Sequence, residues 1–195
     1  MGARIDRPGT ELRDFQTAQL EANDKGWTTR GVPECRAGGA GTYKSPHIRQ
    51  RYYRADALVT VALRFAPVGE EPTLPQITTA LASPARPLFF GRKPCLPSCP
   101  VLVSETPTEA ASVLEALRNH PLAPEEPKTR HHRAIGSASI KIIVPPNEGA
   151  PKEQHRLERV TDHRDWISGV HTGESRLHVF SLPRASFPAS EGALL

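Results

Sequence analysis

The stretch that most limits what this chain can fold into runs from Lys25 to Asp56. Up to Arg54 it carries Lys25, Arg30, Arg36, Lys44, Arg49, Arg51 and Arg54 with Glu34 as the sole acid, a net +6 in a chain whose total is +4. Pro33, Gly38, Gly39, Gly41 and Pro46 break regular structure over its middle. A segment of this kind cannot be buried in an apolar core, so it has to project from one built by the slightly acidic remainder. A long hairpin with an open tip is the expected form.

Aromatic residues are interleaved with the cations: Trp27, Tyr43, Tyr52 and Tyr53. Cations that meet phosphates, alternating with flat rings on which bases stack, are what binding of single-stranded nucleic acid requires, and glycines let the backbone approach closely. The same composition also suits a solvated loop whose arginines only maintain solubility.

At 195 residues the chain has room for one domain and a small appendage. An apolar fraction of 37% and 20 prolines point to a modest core and many loops. The isoelectric point near 9.2 fits an anionic partner without identifying it. No apolar run approaches the roughly 20 residues of a membrane span, and no secretory leader pattern opens the chain. The expectation is a soluble, cytoplasmic protein with no membrane partner. Three cysteines, Cys35, Cys95 and Cys99, give no disulfide framework. Cys95 and Cys99 could form half of a zinc site, but no second ligand pair stands at the needed spacing, so neither metal nor cofactor is expected.

Along the chain, residues 3–6 look like the end of a strand, and Arg7-Pro8-Gly9-Thr10 has turn chemistry. Asp56 to Phe65 is the clearest strand, and its near-continuous apolar character suggests burial on both faces or at a sheet centre. Thr73 to Ala82 reads as a helix with Thr73 as N-cap, Pro75 in its first turn and an apolar face of Leu74, Ile77 and Leu81. Leu88-Phe89-Phe90 and Val101-Leu102-Val103 read as short extended runs around the basic turn Gly91-Arg92-Lys93, whose amides and cations could cradle a phosphate. A second helix is expected from Thr106, with Pro107 at its first position and a stripe of Ala110, Val113, Leu114 and Leu117. Residues 125–132 read as a charged linker and Ser139–Val144 as a strand stopped by Pro145-Pro146. Asp162 to Asp165 read as a polar turn, Arg176 to Leu182 as an edge or half-buried strand, and the last dozen residues as frayed.

Several of these stretches together resemble the CasD family of type I-E CRISPR Cascade subunits, within the RAMP superfamily. Leu12-Arg13-Asp14-Phe15-Gln16-Thr17-Ala18 is similar to the family's Arg-Asp-Tyr-His-Thr pattern. Arg51-Tyr52-Tyr53-Arg54-Ala55-Asp56-Ala57 is similar to its Arg-x-Tyr-x-x-Asp-Ala entry to a Thr-Val-Ala-Leu strand, and Leu88 to Cys95 to its Leu-Gly-Arg-Arg-x-Cys-Pro turn. The three occur in the family's order, and the likeness covers roughly residues 3–103.

The resemblance implies an α+β, ferredoxin-like (RRM-like) core over residues 1–103 carrying a β-hairpin thumb at 11–56, followed by a smaller α/β region at 104–195. It implies a non-catalytic subunit that caps the repeat-derived 5′ handle of the CRISPR RNA and contacts the backbone subunits of Cascade through its thumb. Arg51, Tyr53, Gly91, Arg92 and Lys93 match family positions expected near the RNA. Arg30, Arg36, Tyr43, Lys44, His47 and Arg49 join the candidate RNA-binding set on charge and ring content alone. Two departures stand out: Phe15-Gln16 replaces the family's Tyr-His, which removes a titratable group, and a strand and glycine-rich helix expected before Ala3 are absent. The core is therefore expected to be incomplete at its amino-terminal side, with uncovered apolar surface.

Two other functions remain open from the residues. One is a metal-independent endoribonuclease acting on CRISPR repeat RNA, which needs a base for the 2′-hydroxyl and a cation for the phosphorane; Tyr43, Lys44 and His47 could supply these. Against it, a Gly/Pro-rich loop holds reacting groups loosely. The other is a general single-stranded RNA binder. No Walker loop, nucleophile elbow or His-Glu-x-x-His motif is present.

Overall fold

A computed structural model describes residues 1–19, 28–29, 32–33, 46–65, 71–91, 94–123, 138–150, 155–164 and 171–189. The chain divides into two compact units, one formed by Met1–Asp6 with Leu58–Leu195 and the other by Arg7–Ala57.

The first unit is a five-stranded sheet with helices. Its strands are β1 (Gly2–Arg7), β6 (Leu58–Ala62), β7 (Ser139–Val144), β8 (Arg156–Arg164) and β9 (His171–Pro183), in the order β6-β1-β7-β9-β8. The β1–β7, β7–β9 and β8–β9 pairs are antiparallel. Alternation decides which face is buried, because successive strand side chains point to opposite sides. Ile140, Ile142 and Val144 of β7 are buried, and Ile142 stands between Arg4 of β1 and Phe180 of β9 in register.

Among the described residues two helices belong to this unit: α1 (Leu74–Ala82) and α2 (Val113–Asn119). In α1, Thr73 is the N-cap as expected, and its backbone N–H donates to the Gln76 side chain at 2.7 Å. None of its residues is buried. Helix α2 starts at Val113, six residues later than Pro107 suggested. The Oγ of Ser112 accepts from the Glu115 N–H at 3.1 Å, and a carboxylate oxygen of Glu148 accepts from the Val113 N–H at 2.9 Å. Pro107 offers only a favourable φ, whereas these caps satisfy amides that the helix leaves unpaired. Val113, Leu114 and Leu117 then pack with Leu122, the β7 side chains, Phe180 and Phe187 into the core.

A polar cluster sits inside this core. Arg4 is fully buried and Asp6 is 5% exposed. The Arg4 Nε lies 2.6 Å from Asp6 Oδ1 and its Nη2 lies 2.9 Å from Oδ2. Its Nη1 also donates to the carbonyls of Leu117 and His120, and its Nη2 to the carbonyl of Pro121 at 2.8 Å. These carbonyls close the end of α2, where a helix has no partners of its own. The Thr60 hydroxyl donates to Asp6 Oδ2 at 3.0 Å, the Ala123 N–H donates to it at 3.3 Å, and the Phe187 ring lies 5.3 Å from the Arg4 guanidinium carbon. Burial, and then the neighbouring Arg4 charge, push the His120 imidazole below its ordinary value of 6.5.

Several sequence expectations change here. The segment from Asp56 to Phe65 is not at the sheet centre: β6 is a terminal strand, and Val59, Val61 and Leu63 are exposed. Its apolar run reads alike at a centre or an edge, and β1 occupies the interior position beside it. The runs at 88–90 and 101–103 form no strands, since Pro87, Pro94, Pro97 and Pro100 withhold the amides a ladder needs. Asp162 to Arg164 lie within β8 rather than in a turn, and Asp165 falls outside the described residues. Strand β9 is interior, between β7 and β8, so of the two readings of Arg176 to Leu182 the edge placement fails and the half-buried one holds. Arg184–Ser186 form a 3-10 turn and Phe187 is in the core, so the chain is ordered to at least Ala189 instead of fraying from residue 184. The expected linker at 125–132 lies outside the described residues.

Candidate nucleic-acid interface

The second unit contains an antiparallel ribbon of β2 (Thr10–Ala18) and β5 (His47–Ala55), paired without a break from Thr10↔Ala55 to Ala18↔His47. A short pair, β3 (Thr28–Thr29) with β4 (Val32–Pro33), lies between them in sequence. The root of the ribbon depends on Gly9, whose φ of +67° lies in the left-handed region and whose Cα faces the Ala55 carbonyl too closely for a β-carbon. Asp56 turns the chain out of β5 with a φ of +57°.

Because strand side chains alternate, the unbroken register sorts the ribbon into two faces. One face presents His47, Arg49, Arg51 and Tyr53 of β5 with Leu12, Asp14 and Gln16 of β2 opposite them. All four β5 residues belong to the candidate RNA-binding set, and a spacing of two residues puts them on one side at intervals of about 6.6–6.8 Å. Arg49 and Arg51 are exposed, while His47 and Tyr53 are half-buried. Asp14 stands opposite Arg51 and accepts from the Gln16 side-chain amide at 3.4 Å. Among the described residues, neither Arg49 nor Arg51 is held in an ion pair, so both guanidinium groups face solvent.

The opposite face carries Glu11, Arg13, Phe15 and Thr17 of β2 against Arg54, Tyr52, Gln50 and Ile48 of β5. Phe15, Ile48 and Tyr52 are each more than half exposed. The Tyr52 hydroxyl donates to the Gln50 side-chain oxygen at 3.1 Å, and Arg54 Nη1 donates to the Pro8 carbonyl at 3.2 Å. Arg13, Phe15 and Tyr52 were not among the candidate residues. The signal that finds them is the period of two, applied to both strands once they are paired.

Gly91 belongs to the other unit. It has a φ of +79° in a turn where the Phe90 N–H donates to the Cys95 carbonyl at 2.7 Å. Arg92 and Lys93, and Arg30, Arg36, Tyr43 and Lys44 of the long arm, lie outside the described residues. Cys95 and Cys99 are free thiols, and among the described residues no group of three or more His, Cys, Asp or Glu is placed to hold a metal ion. No helix among them is long and apolar enough to cross a membrane.

The chain has a counterpart in fold among solved structures. A chain of a "CRISPR RNA-guided surveillance complex" is similar in fold, with a TM-score of 0.54 and 20% sequence identity over 98% of this chain and 71% of that one. Residues 1–178 match the family model described as CRISPR-associated protein (Cas_Cas5), and the chain belongs to this family. No curated protein matches.

Proposed function

We propose that this chain is a non-catalytic, RNA-binding subunit of a type I-E CRISPR surveillance complex, working in the cytoplasm in antiviral defence. In this reading it caps the repeat-derived 5′ handle of the CRISPR RNA. The five-stranded unit is its ferredoxin-like core, and the β2–β5 ribbon is the thumb that meets the RNA and the backbone subunits. The family match over residues 1–178 carries the reading.

The ribbon supports it physically. Arg49 and Arg51 project from one strand face with no carboxylate bound to them among the described residues, which leaves their charge available to phosphates. Arg30, Arg36, Tyr43, Lys44, His47, Tyr53 and the Gly91-Arg92-Lys93 turn complete the proposed contact set.

Incubating the chain with labelled CRISPR repeat RNA, its handle alone, and a scrambled RNA of equal length, without added metal, tests the proposal. Handle-dependent retention without cleavage is the expected result. Cleavage would assign the chain to repeat processing, and equal retention of every RNA would make it a general single-strand binder.

A further inference from the structure

The face of the ribbon opposite the arginine pair has an unusual surface for a chain so poor in aromatics. Aromatic residues make up 6% of the sequence, yet Phe15 and Tyr52 are 58% and 57% exposed on one side of a two-stranded ribbon. They sit one rung apart on opposite strands, since Tyr52 pairs with Arg13 and Phe15 with Gln50. Diagonal neighbours at this separation lie within reach of the same ligand. Arg13 stands directly across from Tyr52, and Arg54 follows one rung nearer the root. Glu11 is the only carboxylate in register on this face among the described residues, so its fixed charge is positive.

We propose that Phe15 and Tyr52 form a stacking platform for unpaired bases of single-stranded RNA, with Arg13 meeting the adjoining phosphate. The occupant has to be both planar and anionic, because exposed rings and guanidinium groups alternate along the face; a purely apolar protein surface would offer Arg13 no acceptor. Stacking needs no base-edge hydrogen bonds, so this surface discriminates little among sequences and between ribose and deoxyribose. The platform rests on the proposed RNA-binding function and adds a second face to it: phosphates on the Arg49/Arg51 side, bases on the Phe15/Tyr52 side.

The test is fluorescence anisotropy of the full chain with a labelled 12-nucleotide oligouridylate and its oligothymidylate counterpart, across a salt series. Phe15→Leu and Tyr52→Leu keep apolar bulk on the strand but remove the ring. Each is expected to weaken both oligonucleotides about tenfold with the salt slope unchanged, because a stack but no phosphate contact is lost. Ile48→Thr on the same face is expected to have no effect. Circular dichroism matching the wild type separates these results from misfolding.

Binding by both leucine variants within about twofold of wild type overturns the platform, and the proposed function then stands or falls on handle retention alone. Unchanged RNA affinity with loss of co-purification with the other subunits assigns the face to protein and also overturns it. Failure of the wild type to bind any RNA removes both the platform and the function on which it rests.

Discussion

Arg4 and Asp6, two residues apart on β1, face each other across one side of the strand in a two-point ion pair of 2.6 and 2.9 Å, both side chains withdrawn from solvent. The same guanidinium gathers the carbonyls of Leu117, His120 and Pro121, more than a hundred residues away, and so ties the first strand of the chain to the end of α2. A charge this deeply buried is tolerated only because each of its donors has an acceptor.

Truncating that arginine should therefore cost far more than its net contribution as a pair. Arg4→Met strips the Asp6 carboxylate of its counter-charge and three carbonyls of the guanidinium donor, and an expected loss of about 3–5 kcal/mol follows from breaking one side of a buried ion pair. Arg4→Met with Asp6→Leu should recover part of that loss by removing the stranded charge. Urea denaturation of the two variants against wild type measures both.

The lowered His120 value sets a pH dependence. An imidazole that is harder to protonate in the folded state than in the unfolded chain makes the unfolded state bind more protons, so stability rises with pH through that window. The contribution is complete above about pH 6.5, the ordinary value, and is lost as pH falls from there toward the lower folded value. Melting temperature should fall on acidification from pH 7.5 to 5.5, and His120→Gln, which keeps the backbone carbonyl bound by Arg4, should flatten that part of the curve.

On the arginine face, Arg49→Gln and Arg51→Gln should each reduce the salt slope of single-stranded RNA binding by about 0.7 in log–log units, the share of one lost phosphate contact. Titrating the handle RNA between 50 and 300 mM salt gives the slopes. A slope that stays at the wild-type value for either variant removes that residue from the interface.

The two outer strands of the five-stranded sheet are protected unequally. Strand β8 carries Arg156, Glu158 and Arg159 and shifts register between Val160 and His163, devices that discourage edge-to-edge pairing. Strand β6 is Leu-Val-Thr-Val-Ala with no charge, and Val59 and Val61 are half exposed. Val61→Lys on the exposed face should reduce self-association of the isolated chain, read as a lower apparent mass by sedimentation at high concentration, with little change in melting temperature.

Much of this fold is readable from local pattern. Ile140, Ile142 and Val144 announce β7 and its buried face, and the paired ends of the basic arm announce the ribbon. What could not be read was strand placement: Leu58 to Ala62 has the same apolar character whether it lies inside a sheet or at its border. The helix start at Ser112 was hidden by Pro107, because the deciding cap from Glu148 comes from a residue thirty-five positions away.

The sequence by itself determined that Arg49, Arg51 and Arg54 would stay outside the core, since so dense a run of cations is too costly to desolvate. It also determined that His47, Arg49, Arg51 and Tyr53 would share a side wherever that segment is extended, because the strand repeat is two. Only the tertiary structure decided that Phe15 would stand one rung from Tyr52, that β6 would lie at the border, and that Arg4 would be buried. Each of these depends on pairing between distant segments, and a register or a burial is fixed by the partner strand as much as by the residues that carry it.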